Sequence, residues 1–229
     1  MKVQSMFIGK PKQLGDANAT DKMQQAWVSA INRDRVDGGC VDVLGFNGDE
    51  VADKKHHGGV DKAVFCYPYA HYELWRNELN IDIDAGGFGE NLCLKDMDES
   101  TVCLGDVYEI GSARLQVTQP RKPCWKPARK FGELELSRIT EENGRTGWYF
   151  KVLVPGEIKE GDKIRLVERM HDAWSIARCN DVMHRSTDMD AVKEMSELAE
   201  LAETWKVSLQ KKLAGHIEDS AQRIYGPNI

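Results

Sequence analysis

Ala113-Arg114-Leu115-Gln116-Val117-Thr118 alternates apolar and polar residues and runs without a break into Gln119-Pro120-Arg121-Lys122-Pro123-Cys124-Trp125-Lys126-Pro127-Ala128. The first half has the period-two pattern of a half-buried strand. The second half carries prolines at 120, 123 and 127, each fixing φ and lacking an N–H, which predicts a stiff, irregular loop and neither a helix nor a central strand. Arg121, Lys122, Lys126, Arg129 and Lys130 crowd this loop with positive charge, and no acid falls between Gln119 and Lys130 in a chain of net charge -6. Nearby cations favour thiolate over thiol, which makes Cys124 a candidate nucleophile or soft metal ligand. The competing reading is a packed thiol, because free cysteine is among the most buried residue types.

Working outward, the same strand signature recurs. Gly105-Asp106-Val107-Tyr108-Glu109-Ile110 and Gly161-Asp162-Lys163-Ile164-Arg165-Leu166 each open on a Gly-Asp turn and then alternate, and Gly147 to Val154 is a denser apolar run stopped by Pro155-Gly156. Many short strands with Gly and Pro turns predict a mainly β domain over residues 1–170, a closed or nearly closed barrel with a few peripheral helices. Those helices are expected at Tyr69–Leu79, after Pro68, and at Glu133–Glu142. No GxGxxG or Walker pattern follows a strand, which argues against a nucleotide-binding α/β sheet.

From residue 171 to 229 the pattern is helical. Ile176, Cys179 and Met183 share one face, Val192, Met195, Ala199 and Ala202 another, and Trp205, Leu209 and Leu213 a third. Ser186, Thr187 and Asp188 are N-cap candidates for the second helix, and Gly215 closes the third. This three-helix unit holds seven Lys/Arg against ten Asp/Glu, a net of -3, so it is not expected to read nucleic acid. Its apolar faces need cover from the β domain or from a second copy in a homodimer. The six cysteines include no CxxC pair and match no zinc or iron–sulfur spacing. Scattered thiols without a signal peptide or membrane-spanning stretch suit a soluble protein of the reducing cytoplasm, with no membrane partner.

Three further clusters accompany the cysteine loop. Lys54-Lys55-His56-His57-Gly58-Gly59-Val60-Asp61-Lys62 joins cations to a Gly-Gly pair, whose backbone N–H groups can approach an anion closely; an ordinary turn with solvated lysines would look the same. His57 is a candidate proton donor near neutral pH, with a structural turn histidine as the alternative. Phe88-Gly89-Glu90-Asn91-Leu92 sets a carboxylate, Glu90, and an amide, Asn91, after a Gly turn, a pairing suited to the donor–acceptor edge of a heterocycle. Gly144-Arg145-Thr146-Gly147 offers Arg145 as a phosphate clamp.

These motifs, with Gly45-Phe46-Asn47-Gly48-Asp49, His57 to Val64, and Gln119 to Cys124 in this order, resemble MOSC-domain proteins. More narrowly they resemble the bacterial YiiM type, whose MOSC domain precedes a "3-alpha" helical tail. The resemblance implies a MOSC-type β-barrel that binds molybdenum cofactor, a pterin dithiolene bearing a phosphate, with Cys124 as the molybdenum ligand. It implies that Arg121, Lys62 and Arg145 neutralise the phosphate, beside the Gly58-Gly59 backbone, and that Asn91 reads the pterin edge next to Glu90. It further implies reduction of N-hydroxylated bases such as 6-hydroxylaminopurine. With no iron–sulfur, flavin or haem motif in the chain, the electrons are expected from an external flavin or haem protein. Two rival readings follow from the same family: a sulfur carrier with a persulfide on Cys124, and a cofactor-binding protein without turnover. Sulfurase relatives use pyridoxal phosphate in a separate part; no matching lysine motif occurs here, and PLP is not expected.

Overall fold

The computed structural model describes residues 1–229 apart from Lys55 and Ile217. In chain order the strands are β1 (Lys2–Ile8), β2 (Lys12–Leu14), β3 (Trp27–Ser29), β4 (Asp34–Val36), β5 (Gly38–Asp42), β6 (Gly45–Phe46), β7 (Val64–Pro68), β8 (Leu92–Lys95), β9 (Val107–Ile110), β10 (Ala113–Pro120), β11 (Trp148–Val154), β12 (Gly156–Lys159) and β13 (Ile164–Glu168). The α-helices are α1 (Ala70–Leu79), α2 (Trp125–Phe131), α3 (Leu136–Asn143), α4 (Ile176–His184), α5 (Met189–Glu197), α6 (Glu203–Leu213) and α7 (Ala221–Ile224).

Eight strands form one sheet in the order β13-β9-β10-β11-β7-β8-β1-β4. All neighbours are antiparallel except β7 and β8, which run parallel because α1 supplies the crossover between them. Strand β10 sits inside this sheet, paired with β9 through Ala113–Gln116 and with β11 through Arg114–Pro120. Its alternation is therefore legible but its burial is nearly continuous, because both of its faces are covered.

The expected barrel is corrected. The sheet is open, with β13 and β4 at its two edges and no ladder between them. The start of β1 touches the turn before β13, where the Val3 N–H donates to Asp162 O and the Gly161 N–H to Val3 O, both at 2.9 Å. Closure goes no further because Met6 to Ile8 of β1 are already paired with β4, which leaves only the first residues of the strand free. Nor is the chain mainly β: helix and strand contents are about equal.

The proline-rich stretch is corrected too. Pro120 ends β10 rather than standing in a loop, and α2 begins at Trp125 with Pro127 as its third residue. A proline is tolerated there because the first N–H groups of a helix have no intrahelical acceptor anyway.

Three apolar clusters organise the interior. Met6, Val64, Leu92, Leu115, Val117 and Phe150 fill one side of the sheet. Tyr67, Tyr72, Trp75 and Phe88 form an aromatic layer between the other side and α1, with Tyr67 and Phe88 stacked at 4.4 Å. Trp174, Met195, Trp205 and Leu209 make the core of the helical unit, and Leu104 from the β region belongs to that same cluster. Asp188 caps α5 through bonds from the Asp190 and Ala191 N–H groups, as its side chain predicts. Ala199 and Ala202 are not on α5, which stops at Glu197; Ala202 instead precedes α6 and donates its N–H to Thr118 O. Beyond the three expected helices the chain adds α7. No helix among the described residues is long and apolar enough to cross a membrane.

Candidate functional site

The site is built where β10 leaves the sheet. Thr118, fully buried, donates its hydroxyl to Asp61 O at 2.6 Å and so ties the Gly58–Lys62 turn to this strand. Arg121 donates its N–H to Gly147 O at 3.0 Å, the last sheet-like bond before the chain swings outward. Cys124 then stands immediately before α2 in an extended conformation (φ -134°, ψ 164°). Its Sγ accepts from Arg121 Nη2 at 3.8 Å, from the His57 side chain and from the Lys126 N–H. Burial alone pushes the thiol pKa up; the His57 hydrogen bond and the Arg121 and His57 charges outweigh it, and the net value falls to about 6. By contrast, burial holds Cys66, Cys93 and Cys179 as thiols, and raises Cys103 as well, with Asp106 adding to it.

Cys124, His57, Gly58, Gly59, Lys62, Arg121 and Asn91 all line one hollow of about 380 Å³. Arg121 is only 4% exposed, its guanidinium 5.2 Å from the Phe65 ring centre and 6.0 Å from that of Phe88. Its Nη1 ends without a well-directed acceptor among the described residues. A buried guanidinium with N–H groups unspent is costly unless an anion meets it. Lys62 donates to His56 O at 2.8 Å, and burial followed by the Lys122 charge lowers its pKa. Phe65, Phe88 and Tyr149 supply aromatic wall. Glu50, an acid on the rim, pairs with Lys10 at 3.3 Å. Lys55, part of the quoted basic cluster, lies outside the described residues.

Sequence reasoning missed a framework behind this wall. Arg33 forks onto Asp49 (Nε to Oδ1 2.7 Å, Nη2 to Oδ2 2.8 Å), and Asn91 Nδ2 donates to Asp49 Oδ2 at 3.0 Å. Asn91 Oδ1 accepts the Phe65 N–H at 3.1 Å. The amide expected to read a heterocycle edge is thus committed to joining β7, the Gly48-Asp49 turn and Arg33. The Arg33–Asp49 pair is internally neutral, which leaves Arg121, Lys62, Lys54 and Lys126 to set the sign of the hollow. The signal available in the sequence was that two Gly-turn motifs each end in a hydrogen-bonding side chain, Asp49 and Asn91.

Two expected site residues stand elsewhere. Glu90 is fully buried under the aromatic layer, bonded to the Tyr72 hydroxyl and the Gly86 N–H, and burial raises its pKa. Arg145 forks onto Glu78 at 2.7 and 2.8 Å, lies 5.2 Å from the Trp75 ring centre, and borders a separate hollow of about 220 Å³. The Gly144–Gly147 turn aims it that way, because Gly147 is pinned by its N–H to Glu99 Oε1.

Among the described residues no group of three or more His, Cys, Asp or Glu could hold a metal unaided. A metal at Cys124 would need further ligand atoms brought by a cofactor. A lone soft thiolate beside a cationic wall with unspent Arg121 N–H groups fits an anionic cofactor of that kind.

This geometry sits within a recognisable pair of modules. Residues 53–165 match the MOSC domain, and residues 174–216 match the YiiM-like, 3-alpha helix domain. Protein YiiM of Escherichia coli is 36% identical over 203 residues, covering 86% of this chain and 91% of that protein. The crystal structure of YiiM from Geobacillus stearothermophilus superposes with a TM-score of 0.77 at 33% identity, over 93% of this chain and 98% of that one. A protein of Gibberella moniliformis named Reductase is 36% identical over 176 residues, 74% of this chain and 31% of its own length. The chain belongs to the MOSC-domain family, joined to a YiiM-like 3-alpha helix domain.

Proposed function

We propose that this protein is a molybdenum-cofactor-dependent reductase of N-hydroxylated compounds, 6-hydroxylaminopurine-type bases among them, with Cys124 as the molybdenum ligand. The observation that carries the proposal is the meeting, in one hollow, of a thiol with pKa about 6 and a buried arginine with N–H groups unspent. Family membership and the name of the fungal relative support the same direction. Converting an N-hydroxylamine to an amine and water takes two electrons and two protons. When bound, the cofactor supplies the two-electron change that no side chain offers.

The chain's own residues bind and orient. Arg121, with Lys62 and the Gly58-Gly59 backbone, would hold the cofactor's phosphate. Phe65, Phe88 and Tyr149, nearly buried and packed on one another and on Arg121, back the hollow with apolar wall and keep water from behind it. His57, bonded to Cys124, stands where it can deliver a proton to a group leaving near the thiolate. Electrons would come from a separate flavin or haem protein.

The test reconstitutes the full-length protein, made in a molybdenum-replete host, with a flavin or haem reductase, NADH and an N-hydroxylated purine. Turnover is expected, lost in Cys124→Ala and kept in Cys103→Ala. Full activity in Cys124→Ala would overturn the ligand assignment. Transfer of labelled sulfur from Cys124 without any turnover would favour a persulfide carrier instead.

A further inference from the structure

We propose that residues 218–228, through Arg223 and Asn228, are a clasp that positions Cys124, making these two side chains positioning residues of the site. Three successive carbonyls around the thiol each accept a side-chain hydrogen bond. Pro123 O takes Arg223 Nη1 at 2.7 Å, Cys124 O takes the Ser137 hydroxyl at 2.6 Å, and Trp125 O takes Asn228 Nδ2 at 3.2 Å. Two of the three donors come from the clasp, one on each side of the cysteine.

Each clasp residue is itself held. Asn228 is 5% exposed, and its Oδ1 accepts Arg129 Nε from α2 at 2.7 Å, while Pro227 O accepts Arg129 Nη2 at 2.9 Å. Arg223 also pairs with Glu141 of α3 at 2.7 Å. Lys122, two residues before the thiol, reaches Ser208 at 2.8 Å and Glu218 at 3.4 Å. Gly226 has φ +48°, and a Cβ there would lie 2.3 Å from Trp125 Cδ1, so the segment is shaped for close approach to the residue next to Cys124. Residues 218–228 also lie past the 174–216 span that matches the 3-alpha helix domain, so that module does not account for them.

The mechanism is backbone orientation. The extended Cys124 backbone, fixed by the bonds to the 123–125 carbonyls, sets Sγ into the hollow within 3.8 Å of Arg121 Nη2, and a drift of those carbonyls would turn the sulfur away from this place. Loss of the clasp should slow attack by the misplaced Cys124 sulfur without abolishing the fold.

The readout is the rate of iodoacetamide alkylation at Cys124 relative to exposed Cys40 in the same molecule, followed at neutral pH by peptide mass spectrometry. Full-length protein is made in a host lacking the cofactor. Arg223→Met and Asn228→Ala should each lower the Cys124/Cys40 ratio about tenfold, and Arg223→Lys, which keeps a donor for Pro123 O, should recover most of it. Leu209→Ala, in the core of the helical unit, should lower the melting temperature and leave the ratio within about twofold. An unchanged or rising ratio in Asn228→Ala, no recovery in Arg223→Lys, or an equal fall in Leu209→Ala would overturn the clasp. Asn228 belongs to none of the three apolar clusters, so Asn228→Ala decides the question should Arg223→Met fail to fold. The inference takes Cys124 as the working thiol of the proposed function. Alkylation of cofactor-free protein reads the setting of that thiol whether or not molybdenum binds, so the two readings fail separately.

Discussion

The Cys124 thiol is the product of a contest between burial, which favours the neutral form, and three donors that favour the anion. The sign of the outcome has a consequence for stability. A folded pKa of about 6, below the ordinary thiol value of about 8.5, means that the group's contribution is fully present above the unfolded value and is lost as pH falls through the folded one. Urea denaturation of the wild type and Cys124→Ser should therefore diverge as pH rises from about 6 to about 8.5, the wild type gaining. A gap that stays constant over that range would contradict the depressed pKa. His57→Ala removes the first of the stabilising donors and should move the alkylation midpoint of Cys124 upward by a unit or more, to about 7 or higher. Cys124 was legible in the sequence because its signal is local: cations and prolines within a few residues. The Arg33–Asp49–Asn91 framework was not, since its partners lie 16 and 42 residues apart and only the folded sheet brings them together. Arg145 misled for the same reason, its cation being claimed by Glu78, 67 residues away.

At the scale of elements, period-two alternation located β9, β10 and β13, because the pleat is written into the sequence, and a dense apolar run ended by Pro155-Gly156 located β11. Whether the sheet closes is decided by which edge of β1 is free, and that is a property of pairing partners that alternation does not encode. Helix α2 was hidden by its one proline, Pro127, whose usual meaning reverses in a first helical turn. Two glycines in the left-handed region, Gly144 and Gly147, make the junction between α3 and β11. Gly147 has φ +68°, and a Cβ there would lie 2.3 Å from Cys66 O. Gly147→Ala should cost about 2 kcal/mol or more in unfolding free energy, measured by urea titration, through strain and displacement of β7 together. The Asp188 cap of α5 makes a milder test: Asp188→Ala should cost about 1 kcal/mol.

Across the whole molecule, the helical unit and the β region share a core, since Leu104 packs with Trp174, Trp205 and Leu209. Backbone bonds cross between them as well, from Leu104 N–H to Trp174 O at 2.8 Å and from Ile176 N–H to Val102 O at 2.8 Å. Removing everything after Arg169 should bare this apolar face and the Cys124 clasp together, lowering the melting temperature and promoting association, as followed by light scattering. Trp205→Ala alone should cost about 3–5 kcal/mol. The acidic balance of residues 171–229 predicts no salt-sensitive DNA binding by gel shift, in the full chain or through the tail.

The central claim, that the Cys124 and Arg121 hollow holds molybdenum cofactor, is tested most directly by metal and pterin analysis of protein purified from a molybdenum-replete host. About one molybdenum and one pterin per chain is expected for the wild type, by the single-site logic of one thiolate ligand. Cys124→Ala should lose the metal, and Arg121→Ala should lose metal and pterin together. Wild-type protein free of both, or Cys124→Ala that retains its full complement of molybdenum, would contradict the account.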